Sequence, residues 1–144
     1  MTAYLLDVSV VIALMDRAHI GHDTANRWFA ANSRGGWATC PIVENGVVRI
    51  MSQTSYPNAQ ASPSIVAAAL AQLCRLPGHE FWPDGISLLR SPVFDLNLLT
   101  SPRHVTDAYL LGLAASRGGK LATFDQRLNT AAVKHGAGHV EVLH

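Results

Sequence analysis

The stretch LLDVSVVIAL, residues 5–14, decides how this chain is read. Its leucines end an apolar run, TAYLL, that has the character of a buried strand, and VSVVIALM after it has the character of a short helix. Between them stands a bare aspartate, Asp7. A buried ionised carboxylate is costly unless it is paired, hydrogen-bonded or bound to a metal. The rest of the chain must supply the reason for it.

Working outward, the same alternation continues. HDTANRWFAANSR reads as an amphipathic helix, GWATC as a second strand, and PIVENGVVRIM as a helix with Pro41 at its favoured first position. SQTSYPNAQASPS is polar with two prolines and reads as a mobile loop, and SIVAAALAQLCRL after it as a helix. HEFWP is a candidate short strand. HVTDAYLLGLAASRGG is apolar nearly all round, so it reads as a buried helix with a glycine stop. KLATF is a strand ending at Asp125, QRLNTAAVKH a helix, and HVEVL a last strand. Strands alternating with helices argue for an α/β fold with a mostly parallel sheet covered on both faces.

Composition narrows the class. At 144 residues the chain is read as a single domain, 1–144, long enough to remove about 70% of its unfolded surface from water without a disulfide or structural zinc. Cys40 and Cys74 fall in no CxxC pattern, which fits a reducing, cytoplasmic setting. The sequence has no long apolar run and no basic leader, so neither a membrane partner nor export is expected. Formal charge is +1, but nine of the eleven basic residues are Arg, the type suited to planar recognition of phosphate.

The architecture makes a testable statement about Asp7. In parallel sheets the carboxyl ends of strands and the amino ends of the following helices share one edge, where ligands bind. Asp7 closes the first strand, Glu44 lies in the first turn after GWATC, Asp107 in the first turn of the buried helix, and Asp125 closes KLATF. Each could be only a cap or a complement to a helix dipole. Asp23, Asp84 and Asp95 occupy similar turn or helix-start positions, yet polar or turn residues flank them, whereas the four candidates abut apolar strands or a buried helix. Capping explains the first group fully and the second in part. Crowded carboxylates raise one another's pKa, and a divalent cation resolves the repulsion. Asp and Glu oxygens with no His or Cys cluster suit Mg2+ or Mn2+, ions that work on phosphates.

LLDVSVVIAL, PIVENGVVRI and HVTDAYLLGLAASRGGKLATFDQRL together resemble the motifs of the PIN-domain family, specifically VapC-type toxins of type II toxin-antitoxin pairs, from Tyr4 to about Leu128. The resemblance implies a PIN-like three-layer α/β/α sandwich and a metal-dependent endoribonuclease. Its four acids, catalytic and metal-binding, would fall on Asp7, Glu44, Asp107 and Asp125, with Mg2+ or Mn2+ as cofactor. Ser9 and Thr123 match the family's hydroxyl residues and would orient an acid or a water from behind; the alternatives are an N-cap and a strand residue. Asn45 and Gly46 depart from the residues usual after the second acid, though Arg49 follows at about the family's spacing. The implied reaction is water attack on an RNA phosphodiester, of tRNA or rRNA, leaving a 5′-phosphate and a 3′-hydroxyl. The implied partners are a cognate VapB-type antitoxin and a second copy in a homodimer, with Trp28 and Phe29 assigned to core packing before interface.

Other features point elsewhere only weakly. His135 and His139 are separated by GAG, which argues against a helical zinc pair. His104 is three residues before Asp107 and is assigned to the surface, and Cys40 to buried packing. A phosphatase would want DxD where this chain has DVS, and a receiver domain would want paired acids and a midchain phosphoacceptor. A PIN-like module that binds RNA or protein without cutting remains the rival reading.

Overall fold

The computed structural model describes residues 2–58 and 60–144. Five strands, β1 (Tyr4–Leu6), β2 (Trp37–Thr39), β3 (His79–Phe81), β4 (Lys120–Thr123) and β5 (Val140–Val142), form one sheet in the order β3-β2-β1-β4-β5. Every pairing is parallel. Five helices accompany it: α1 (Val8–Met15), α2 (His22–Asn32), α3 (Pro41–Met51), α4 (Pro63–Leu73) and α5 (Val105–Ser116). α5 lies against β1 and β4, while α1 packs on α2, α3 and α4. None of the helices is long and apolar enough to cross a membrane, among the described residues.

The central strand explains its own position. Leu5 and Leu6 are wholly buried, as are Trp37, Ala38, Leu121 and Ala122 on the strands beside them. Such continuous apolar strands suit a parallel sheet covered on both faces. α5 is buried along most of its length, from Ala108 to Ala114, as its all-round apolar sequence predicts. At Gly112 it passes so close to Phe94 that a Cβ there would stand 2.3 Å from the ring, so a larger residue would have to displace that side chain. Trp28 and Phe29 pack edge-on against Tyr4 and Trp37, with centroids 4.9 and 5.0 Å apart, in agreement with their core assignment.

QRLNTAAVKH is not a helix. Asp125 Oδ1 accepts the amide of Arg127, Asn129 Oδ1 accepts that of Ala131, and Val133 pairs with Phe94 in an isolated antiparallel bridge. Asp and Asn offer the backbone local partners that compete with the helical ladder, and two of them in five residues turn the chain aside. The expected 52–64 loop is shorter than read, because Ser62 caps α4 and Pro63 begins it. Ala59 within that loop lies outside the described residues.

Candidate metal and phosphate site at the sheet's switch point

The chain builds outward from β1 in one direction to β2 and β3, and in the other to β4 and β5. At such a reversal the connections leave to opposite sides, and a crevice opens at the carboxyl ends of the two central strands. Asp7 follows β1, Asp125 stands two residues beyond the end of β4, and Asp107 lies in the first turn of α5. All three line one cavity of about 520 Å³.

Asp7 is the most constrained of them. It is the N-cap of α1, with Oδ1 accepting the Val10 amide at 2.9 Å and the Ser9 hydroxyl at 2.7 Å. The Thr123 hydroxyl accepts the Asp125 amide at 3.1 Å and lies near enough to the Asp7 carboxylate to lower its pKa. Of the two hydroxyl residues named from the sequence, Ser9 donates to Asp7 and Thr123 stands beside it while holding the Asp125 amide. Only 7% of Asp7 is exposed. Burial pushes its pKa up despite the hydrogen bonds from Thr123, Ser9 and the backbone, which pull it down. An N-cap is worth about 1 kcal/mol, whereas burying a carboxylate without a counter-ion costs several, so capping alone does not account for this residue.

Asp107 is half-buried, and its pKa is raised first by burial, then by the charges of Asp7 and Asp125, against a smaller opposite pull from His104. Asp125 is exposed at the rim. No Lys or Arg is among the residues lining the cavity. The acids therefore repel one another with no Lys or Arg among the described lining residues to offset them, and an oxygen-only donor set fits a hard divalent ion.

Glu44 is elsewhere. Its Oε2 accepts the Thr39 hydroxyl at 2.7 Å, and its carboxylate lies beside Cys74 and His79, not in the cavity of the aspartates. The helix dictates this. α3 turns Val43, Gly46 and Val47 inward, and Gly46 meets Val8 so closely that a Cβ would stand 2.9 Å from a valine methyl. Glu44 is about 200° round the helix from Gly46, so it faces away.

The cavity also has features that sequence reading missed. Tyr56 and Asn58 belong to the loop after α3, and both donate to Asp16 Oδ2 at the end of α1, Asn58 at 2.8 Å. The Tyr56 hydroxyl is pushed up to about 12 by burial and by the Asp16 carboxylate. With His19 and Pro57 these residues form one wall, and Val8, Ile12, Ile50 and Leu110 form an apolar floor. An adjoining cavity of about 410 Å³ shares Val8, Ile50 and Thr106 with the first and is lined by Arg49 and Asp84. Asp84, read as a turn residue, keeps one buried carboxylate oxygen without a hydrogen-bond partner. Nothing short of the folded chain pairs residues forty apart, as Tyr56 and Asp16 are. Cys40 is fully buried, and burial pushes its thiol up to about 12, which leaves it as packing. His139 bonds to the Gly119 carbonyl and His135 is exposed, so they form no pair.

A parallel sheet with carboxylates gathered at its switch point is the arrangement that comparison with known proteins then places. Residues 4–134 match the model of the PIN domain. The chain is 47% identical over 143 residues to Ribonuclease VapC39 of Mycobacterium tuberculosis, across 99% of this chain and 100% of that protein. The crystal structure of Mycobacterium tuberculosis VapC20, a Sarcin-Ricin loop cleaving toxin, shares the fold at a TM-score of 0.62 and 17% identity, covering 98% of this chain and 99% of that one. VapBC2 from Rickettsia felis, bound to a DNA fragment from their promoter, shares it at a TM-score of 0.59 and 10% identity, over 99% of each chain. This chain belongs to the PIN-domain family. Within that family it is of the VapC type.

Proposed function

We propose that this protein is a divalent-metal-dependent endoribonuclease of the toxin class, acting on tRNA or rRNA. The observation that carries the reading is the cavity itself: Asp7, Asp107 and Asp125 converge on it with raised pKa values for the first two and no Lys or Arg among the described lining residues. Near-identity of length and 47% identity with a protein named as a ribonuclease support the substrate class.

Asp7, Asp107 and Asp125 would hold Mg2+ or Mn2+, which when bound supplies electrostatic stabilisation at the scissile phosphate and activation of water there. The Ser9 hydroxyl and the Val10 amide fix the Asp7 carboxylate so that its geometry is set before the ion arrives, with Thr123 beside it. Arg49, in the adjoining cavity, is placed to meet a backbone phosphate. The apolar floor and the Tyr56 and His19 wall offer an unstacked base a dry surface, which is how single-stranded RNA is read. A VapB-type antitoxin and self-association as a homodimer belong to the same proposal, supported by membership of the VapC type. Glu44 is no part of this cavity, and that one fact favours the second reading, a PIN-like module that binds RNA or protein without cutting it.

The deciding experiment maps RNA ends after incubating tRNAs and rRNA fragments with the protein or its Asp107→Asn variant, in Mn2+, Mg2+ or EDTA. Discrete cuts with 5′-phosphate and 3′-hydroxyl ends, present only with metal and absent in the variant, are expected. Cyclic 2′,3′-phosphate ends, or equal cutting by the variant, would refute the site. Binding of RNA with no cleavage under any metal would favour the second reading.

A further inference from the structure

On the side of α3 turned away from the aspartates, three side chains of different chemistry converge. Glu44 comes from the first turn of α3, Cys74 caps the carboxyl end of α4, and His79 opens β3. One carboxylate oxygen, the sulfur and one ring nitrogen lie within 4.8 Å of one another, all three residues half-buried. Thr39 gathers them. It is the last residue of β2 and wholly buried, and its hydroxyl donates to Glu44 Oε2 at 2.7 Å and meets His79 Nε2 at 2.8 Å. The His79 ring is held in turn by Trp37, with centroids 4.6 Å apart.

We propose that Glu44, Cys74 and His79 form a binding site for a borderline-soft divalent transition metal, of which Zn2+ is the natural ion, distinct from the hard-ion cavity of the aspartates. One sulfur, one nitrogen and one oxygen ligand make a donor set that Zn2+ accepts and Mg2+ does not. Metal–ligand distances of about 2.0–2.3 Å put tetrahedral ligand atoms roughly 3.3–3.7 Å apart, so closure from the observed spacing takes side-chain adjustment of about 1 Å. Three protein ligands leave the fourth position to water. The Thr39 hydroxyl, already donating to Glu44, would remain as the outer partner that orients the carboxylate.

Protons balance simply. Each ion bound displaces the Cys74 thiol proton to solvent; the Nε2 proton that His79 gives to the Thr39 hydroxyl in the metal-free chain is exchanged through solvent for one on Nδ1, so that the neutral ring ligates through Nε2. Burial keeps His79 on the neutral side, as a ligand must be, and keeps the Cys74 thiol protonated until a metal displaces that proton. Affinity therefore rises with pH. The site would tie α3 and the end of α4 to the edge strand β3, bracketing the connection that carries Tyr56.

The test needs no RNA, so its failure is separate from failure of the nuclease reading. The metal-free full chain is titrated with Co2+, then Zn2+, while absorbance and thermal unfolding are followed. One equivalent of Co2+ giving a near-ultraviolet thiolate band, displaced by Zn2+ with a rise in Tm of about 5 °C, is expected. The band should vanish in Cys74→Ser and His79→Ala and persist in Asp107→Asn. A parent-like circular dichroism spectrum and cooperative thermal unfolding verify that the first two variants are folded. In the parent chain, Zn2+ should slow modification of Cys74 by a thiol reagent at least about tenfold, since the other cysteine is buried. Absence of a thiolate band, its survival in Cys74→Ser, its loss in Asp107→Asn, or unprotected Cys74 would each overturn the proposal.

Discussion

Two charged clusters flank α3, and they are built on opposite principles. Around Glu44 the carboxylate is answered from within the chain by the Thr39 hydroxyl, with a histidine and a thiol alongside. Around Asp7 the Ser9 hydroxyl and the Val10 amide answer one acid, yet Asp107 and Asp125 add charge to a cavity with no Lys or Arg among its described lining residues. The first cluster is held by Thr39 and offers mixed sulfur, nitrogen and oxygen donors. The second gathers carboxylate oxygens alone, which is why the hard ion and the phosphodiester are proposed there and a softer ion at the first. A carboxylate's position at the start of a helix therefore says less about its role than whether anything in the fold neutralises it.

The comparison can be broken most decisively at Asp7. Asp7→Asn keeps a side-chain oxygen for the Val10 amide but removes the charge, so the fold should survive while metal-dependent RNA cleavage falls by more than about a hundredfold, beyond what an outer partner of a ligand is worth. Cleavage within tenfold of the parent would mean that the aspartate cavity is not the reacting site. Ser9→Ala removes one donor behind that carboxylate and should weaken Mn2+ binding about tenfold, read by titration calorimetry. An unchanged affinity would reduce Ser9 to a surface hydroxyl.

A third test concerns stability. Burial and neighbouring charge raise the Asp107 pKa, so the metal-free folded chain holds this proton more tightly than the unfolded chain does. Stability is therefore lost as pH rises from the ordinary carboxylate pKa through the raised one, and is present in full below both. Asp107→Asn should stabilise the metal-free protein near neutral pH by about 1 kcal/mol, discounted for the solvent this half-exposed group still reaches. The gain should fade in acid; a gain that is flat with pH in denaturant titrations would contradict the assignment. The smallest expected change sharpens the contrast: Glu44→Gln should shift Mn2+ affinity at the aspartates by less than about twofold, because charges on opposite sides of a helix are largely screened from each other. A tenfold loss would return Glu44 to that site.

How far the sequence could be read follows from the same contrast. The positions of Asp7 and Asp125 were legible because each follows a short apolar strand within two residues, and the carboxyl ends of parallel strands share one edge. Asp107 was legible from the first turn of a helix apolar all round. Placing Glu44 on α3 was also correct, but the direction it faces depends on which stripe of the helix meets α1. The signal was present: Val43, Gly46, Val47 and Ile50 form the i, i+3, i+4, i+7 stripe, and Glu44 is outside it. The 126–135 segment misled because its apolar spacing is helical while Asp125 and Asn129 spend their side chains on local amides. The Tyr56 and Asn58 bonds to Asp16 left no local trace, being made by loop residues some forty positions away from their acceptor.

One consequence follows from Asp7 serving at once as helix cap and as the innermost acid. The Val10 amide proton points at the same oxygen, Oδ1, that receives the Ser9 hydroxyl. Any ligand drawing electron density from that carboxylate weakens the amide's bond and moves its resonance. A single backbone signal in a nitrogen–proton correlation spectrum thus reports occupancy of the cavity directly, without an added label and without waiting for RNA to be cut.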